Sequence, residues 1–399
     1  MYRKFTAGHI FNGHTMLPAG HVLITDEKGV VDNIVSIEDA GDGIEVLDGI
    51  LSPGFINAHC HLELSHLKGR IPQHTGLVDF VFKIITERHF AEEEILAAIA
   101  TAEDEMIRNG IVAVGDICNN TLTIAQKKLQ RLLYHNFIEV AGFVPLLANE
   151  RFEKAQAILK EFQENVQFSM FNVQLSTISP HAPYSVSGEL FGLINAATEK
   201  NIVTIHNQET VAEEEFIKSK QGDFLRLYEK LGVDISFFAP TGKSSLQSWY
   251  PHLNKDQSII HVHNVTTTAA DISFAKLSTF NFQLSTFFCL CPNANLYITN
   301  SLPDVNMLVQ QQCNIVLGTD SLASNHQLDI LAEIKTLHTN FPGLPLEMLL
   351  QWATINGARA LQMDNVLGSF EKGKQPGIVL IKHTDGMQLG DAANSIRIL

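Results

Sequence analysis

Short apolar, β-branched runs alternate along the chain with longer stretches of helical periodicity. The runs are "GFINAH" (54–59), "GIVAVGD" (110–116), "FIEVAGF" (137–143), "NVQLSTI" (172–178), "NIVTIH" (201–206), "SIIHVH" (258–263), "FQLSTFFCL" (282–290) and "NIVLGTD" (314–320). Between them lie segments such as "EEEILAAIATAEDEMIRNG" (92–110) and "TTTAADISFAKLS" (266–278), whose apolar positions recur at helical spacing. Apolar runs bounded by turn residues read as strands. Strands that alternate with helices or long loops imply a parallel sheet with right-handed crossovers. Eight such units over about 250 residues match the size of a (β/α)8 TIM barrel, with an open doubly wound sheet as the alternative.

The two chain ends differ from this middle. Residues 1–50 and 365–399 carry short alternating runs, glycine turns and little helical pattern, as in "HVLITDEKGVVDNIVSI" and "NVLGSFEKGKQPGIVLIKHTDGMQ". The expected architecture is therefore a barrel over 51–364 and a small β-sandwich module built from both termini.

Polar residues collect where the predicted strands end. Strand one ends in His59-Cys60-His61, strand four leads to His181, and strand five ends in His206, followed by Glu209. Strand six ends in His261 and His263, and strand eight in Asp320. In a barrel these C-terminal ends converge on one face, where active sites sit. Each residue alone has a structural reading: a lone strand-end histidine is commonly hydrogen-bonded, and Asp320 suits a turn or helix cap. Together they form a nitrogen-rich, oxygen-completed set that suits Zn²⁺ or Fe²⁺ rather than Ca²⁺ or Mg²⁺. His59 and His61 share a face of an extended segment. His261 and His263 alternate to one face as well, and His263, last before the loop, is preferred for the site. His66, His74 and His326 fall on loops near the expected mouth, within reach of a substrate. His9, His14, His21 and His383 lie in the terminal module. His89, His135, His252 and His338 read as surface or structural residues of helix-like or loop segments.

The formal net charge of −15, with 28 Lys+Arg against 43 Asp+Glu and no basic run, argues against nucleic acid or an anionic membrane as partner. No apolar run approaches the ~18 residues that span a bilayer, and "MYRKFTAGHIFNG" has no secretory pattern. The five cysteines (60, 118, 289, 291 and 313) are an odd, sparse set, expected as reduced thiols in a cytoplasmic protein. Cys289 and Cys291 match no zinc-ribbon spacing and are expected in the core.

At these residues the sequence resembles the amidohydrolase superfamily, specifically its cytosine deaminase, guanine deaminase and chlorotriazine hydrolase branch. "LSPGFINAHCHLE" resembles the family's strand-one signature, "SPHAPYSVS" its strand-four segment and "HNQET" its strand-five motif. "VHNVTTTAADI", "CPNANLYI", "LGTDSLASN" and "WATINGARALQMDNVLGSFEKGKQPGIVLI" follow in family order. Ala294 departs from the usual serine, and Gln375-Pro376-Gly377-Ile378 departs in the terminal module. "HCHLELS" is closest to the segment of aminodeoxyfutalosine deaminases; a helix-start glutamate at 63 is the structural alternative.

The resemblance implies one divalent metal, zinc or alternatively iron, held by His59, His61, His206 and Asp320. No lysine stands at the strand-four end, as the mononuclear type requires. It further implies Asp320 as proton acceptor, His263 as the group that orients or polarises the water, and Glu209 as the acid that protonates the ring nitrogen. His181, Glu63, Asn295 and Ser321 are expected to contact substrate. The implied activity is hydrolytic deamination of an aminated N-heterocycle, purine- or nucleoside-like, by an enzyme that is a homodimer in many relatives. A hydrolase of a cyclic amide or a chlorotriazine is the rival reading, and a non-catalytic binding protein a third. The small zinc deaminases of flipped bases are excluded, because no "PCxxC" follows. The specificity segments 62–90 and 207–250 carry no decodable pattern.

Overall fold

The computed structural model describes residues 2–166, 175–279 and 281–399. Eight parallel strands form two ladders of four. The first joins β1 (Phe55–Cys60), β2 (Ile111–Cys118), β3 (Leu133–Val140) and β4 (Ser176–Pro180). The second joins β5 (Ile202–Asn207), β6 (Ser258–His263), β7 (Thr286–Leu290) and β8 (Asn314–Leu317). Hydrogen bonds close both seams. The His206 amide donates to the His181 carbonyl (3.0 Å), and the Thr319 and Asp320 amides both donate to the His59 carbonyl (3.1 Å each). Asn57 clamps the second seam, donating to Thr319 Oγ1 (2.7 Å) and accepting from the Thr319 amide (3.0 Å). The result is the expected (β/α)8 barrel. Nearly every strand residue is buried, as parallel strands covered on both faces should be.

Strand boundaries differ from the pattern most clearly in four places, and the eighth strand ends at Leu317, so that Asp320 lies three residues beyond it. The third strand begins earlier, because Leu133 already pairs with Ala113. His135 therefore lies in a barrel strand rather than in a helix or loop; it is fully buried, with Nε2 3.2 Å from Thr177 Oγ1. In the seventh, Phe282–Ser285 winds into a helical turn and pairing starts only at Thr286. In the fourth, residues 172–174 lie outside the described residues and the strand runs on to Pro180. The helix expected over 92–110 is Glu92–Arg108, and that over 266–278 is Ala269–Ser278, opened by a Thr268/Asp271 capping box.

Both chain ends build one seven-stranded ladder. Its strand Ile44–Pro53 pairs in parallel with Arg3–Phe11 and antiparallel with Ile378–Asp385, then continues into the barrel. The ladder folds back on itself: the Val31 amide on one edge strand donates to the Lys374 carbonyl (2.8 Å), and the turn at Gly29 lies against Leu399, just past the other edge strand. Phe5, Leu23, Leu51, Ile378 and Leu380 fill the enclosed cluster.

The two segments without a readable pattern form a canopy over the barrel mouth. Leu77–Glu87, Val211–Ser219 and Phe224–Lys230 are helices whose Leu77, Phe80, Phe216, Phe224 and Tyr228 share one apolar cluster. Arg226 crosslinks them with a two-pronged ion pair to Asp79 (2.6 and 2.8 Å). No described helix is long and apolar enough to cross a membrane.

Candidate active site

The closed barrel brings four sequence-distant side chains together. One ligand atom from each of His59, His61, His206 and Asp320 lies within 4.8 Å of the others, and all four residues are buried. Asp320 Oδ1 is 3.5 Å from His59 Nε2 and 3.4 Å from His61 Nε2, and His61 Nε2 is 3.2 Å from His206 Nε2. The β1–β8 seam explains how Asp320 arrives. Gly318 has no side chain, which lets the two backbones meet; a Cβ there would stand 2.9 Å from the His59 carbonyl oxygen. The chain then turns through a left-handed Asp320 (φ 57°).

The protonation pattern fits a cation. His206 Nδ1 donates to the His181 carbonyl (2.9 Å), which leaves the Nε2 lone pair free. Burial pushes the His206 imidazole down to about 4 and lowers His61 well below its usual range, so both stay neutral at pH 7. Neither ring nitrogen of the fully buried His59 has a hydrogen-bond partner among the described residues. Three imidazole nitrogens and one carboxylate match the donor set of zinc or ferrous iron.

Two carboxylates face this set with opposite tendencies. Burial alone would raise Asp320, but the surrounding histidines outweigh it and hold the carboxyl well below the carboxylate range. Ser324 Oγ donates to its Oδ2. Glu209 is pushed well above its usual value by burial, and further by Asp320 and Glu213. Its backbone is pinned by Glu213, which accepts from the Glu209 amide (3.0 Å). A pair of acids driven apart in this way divides into one that favours the anion and one that favours the proton-bearing form.

His263 joins the site by an unexpected route. His206 pairs with Val262, so alternation puts Val262 on the site face and turns His261 and His263 away from it. His261 accordingly stacks on Phe288 and Tyr250 (centroids 5.0 and 5.6 Å). His263 returns because its backbone is left-handed (φ 74°), as is that of Asn264 (φ 61°). Asn295 Nδ2 donates to His263 Nδ1 (3.1 Å), which puts the ring proton on Nε2, 3.7 Å from Glu209 Oε1.

His206, Glu209, His263 and Asp320 line a cavity of about 520 Å³ together with His61, His181, Glu139, Asn119, Ser321, Arg88 and Arg151. Its wider part is apolar, with Phe80, Ile84, Phe143, Leu227 and Tyr228. Of the residues expected to touch substrate, His181 and Ser321 line the cavity. Glu63 and Asn295 stand one layer behind it. Glu63 is fully buried and holds Arg88 (3.4 Å) and the Asn119 amide (3.0 Å), and Asn295 backs His263. His66 turns away to the Arg88 carbonyl, while His74 and His326 line a separate polar cavity. Sequence reasoning missed Glu139, Arg88, Arg151 and Ser324. Glu139 was within reach of the strand-end rule, being the penultimate residue of β3.

The amidohydrolase family model matches residues 50–395. The chain belongs to the amidohydrolase family. Among amidohydrolase relatives it is 27% identical over 366 residues to the 5′-deoxyadenosine deaminase of Methanococcus vannielii, covering 88% of this chain and 79% of that one. The structure of Helicobacter pylori aminofutalosine deaminase in complex with methylthio-coformycin superposes with a TM-score of 0.84 at 19% identity, over 100% of both chains. The zinc-bound adenosine deaminase from Xanthomonas campestris gives a TM-score of 0.69 at 22% identity, over 95% of this chain and 84% of that one.

Proposed function

We propose that this amidohydrolase is a metal-dependent deaminase of adenine-type nucleosides, with the barrel (51–364) carrying the site and the terminal module supporting it. The observation that carries the reading is the convergence of the four-residue donor set with a buried Glu209, whose carboxyl is pushed well above its usual value, across the same cavity. The relatives named above act on 5′-deoxyadenosine, aminofutalosine and adenosine, which supports the substrate class.

In this reading His59, His61, His206 and Asp320 hold one zinc or ferrous ion. When bound, the ion lowers the pKa of water from 15.7 toward about 7, so that a nucleophile is present at neutral pH. Asp320, already anionic, accepts the proton of the attacking water. Glu209 gives its proton to the ring nitrogen next to the amine-bearing carbon, which makes that carbon electrophilic. His263 donates from Nε2 and orients the reactants. Ammonia then leaves with the proton from Asp320, and the hydroxyl left on the carbon returns its proton to Glu209 as it becomes the carbonyl. The apolar gallery and the two guanidinium groups favour a 5′ substituent that is apolar and ends in an anion. Arg88 is held in place by Glu63, and Arg151 is exposed with no hydrogen bond or ion pair among the described residues. The five unpaired thiols support a reducing, cytoplasmic setting.

Ammonia release from protein loaded with zinc or iron tests the reading. The panel holds adenosine, 5′-deoxyadenosine, S-adenosylhomocysteine, aminodeoxyfutalosine, guanine and cytosine, with chloride release scored for a chlorotriazine. Turnover of an adenine nucleoside is expected, strongest for one with an anionic 5′ substituent, a preference that Arg151→Ala reduces by about tenfold. Chloride release or ring opening without ammonia would reject deamination. His59→Ala is expected to weaken metal binding by more than about tenfold in chelator competition. Unchanged affinity would contradict the ligand set.

A further inference from the structure

We propose that Glu139 accepts a hydrogen bond from a sugar hydroxyl of the substrate, so that the site selects a nucleoside over a free base. The inference rests on the nucleoside-deaminase reading and adds a recognition residue to it. Glu139 lines the active-site cavity, yet its side chain is only 6% exposed. Asn119 Nδ2 donates to Oε2 (3.0 Å), while Oε1 has no hydrogen-bond partner among the described residues. A buried carboxylate oxygen beside a ligand cavity calls for a donor.

The neighbouring side chains do not supply one. His206 Nδ1 lies 3.5 Å from Oε1, but its single proton goes to the His181 carbonyl. His181 Nδ1 is engaged with Ser185 Oγ (2.6 Å), and Arg88 pairs with Glu63. A second cation is the obvious rival, since Glu139, His181 and His206 also offer ligand atoms within 4.8 Å of one another. His206, however, has one lone-pair nitrogen, Nε2, and it points into the set with His61. Only two donors would remain for a second ion, fewer than a transition metal takes from protein.

The donor must then come from the substrate, and the chemistry of an adenine nucleoside narrows the choice. The base carries N–H only on its exocyclic amine, and that amine must face the attacking water at the metal set. Its other ring nitrogens are acceptors. The sugar hydroxyls are the donors that remain. Glu139 stands on the Nδ1 side of the His206 ring, opposite the Nε2 that faces His61, on the wall beside Asn119 and His181.

The test compares adenosine and 5′-deoxyadenosine with their 2′-deoxy and 3′-deoxy counterparts, using metal-loaded wild type and Glu139→Gln. In the wild type, removal of the recognised hydroxyl is expected to lower kcat/KM by about tenfold to a hundredfold, mainly through KM, the range for a hydrogen bond to a charged acceptor. Glu139→Gln should narrow that discrimination to less than about threefold while keeping the wild-type metal affinity. Equal turnover of parent and deoxy substrates by the wild type overturns the assignment without needing the variant. So does a variant that keeps full discrimination, or one that loses metal and slows every substrate equally, since Glu139 would then act through His206. Ammonia from free adenine but from no nucleoside rejects the substrate class itself, an outcome distinct from failure of the Glu139 assignment alone.

Discussion

Asp320→Asn is expected to abolish turnover and leave the fold standing. The substitution keeps the shape of the side chain, and asparagine tolerates the left-handed backbone at this position (φ 57°). The amide of residue 320 still donates to the His59 carbonyl, so the β1–β8 seam survives. What changes is chemical. The carboxylate uses both oxygens, Oδ1 toward His59 and His61 and Oδ2 for the Ser324 hydroxyl. An amide has one oxygen, so it serves one of these faces and presents N–H₂ to the other. It also carries no charge to balance a cation and accepts no proton from water. Loss of a metal donor and of a proton acceptor compounds, and kcat should fall by more than about a thousandfold. The unfolding midpoint should stay within about 5 °C of wild type. Ammonia release close to the wild-type rate would remove Asp320 from the chemistry.

The convergence of His59, His61, His206 and Asp320 was legible in the sequence because it rests on rules that survive folding. His59 and His61 sit two apart on an extended segment, and strand ends of a parallel barrel converge whatever the loops do. Glu209 was legible because it follows directly on such an end. The less readable parts depend on backbone states or on distant partners. His263 was preferred over His261 as the last histidine before the loop, but what brings it to the cavity is different: strand alternation points both away, and the left-handed turn at 263–264 returns one of them. Glu139 was hidden because the third strand was placed to start four residues late and to end three residues late, at Phe143 instead of Val140. Glu63 was read as a pocket wall, whereas its burial and its grip on Arg88 become visible only once residues 62–88 are folded against β2. The canopy is the least legible region. Its helices are stabilised by one another and by the Asp79–Arg226 crosslink across 147 positions, which no local pattern announces.

Glu209→Gln separates acid chemistry from everything else the residue does. The backbone of Glu209 is fixed by Glu213, and its side chain is nearly inaccessible. A glutamine of the same shape therefore keeps its place. It faces His263 Nε2 as the carboxyl did, and it lies outside the four-residue donor set, so metal affinity is expected to hold. The variant lacks only the transferable proton. Burial, and beyond it Asp320 and Glu213, raises the Glu209 carboxyl well above its usual value, and the acid form is lost as pH rises through that raised value. Wild-type kcat should consequently decline on the alkaline side. In the variant kcat should drop about a hundredfold to ten-thousandfold, the usual worth of a general acid, with the alkaline limb attributed to Glu209 gone. KM should change little, because a proton delivered to the ring nitrogen during attack stabilises the transition state and not the bound ground state. A variant that keeps the wild-type rate and the same pH limb would assign the acid to another group, and His263, whose Nε2 already carries a proton toward the cavity, is the side chain placed to take over the role.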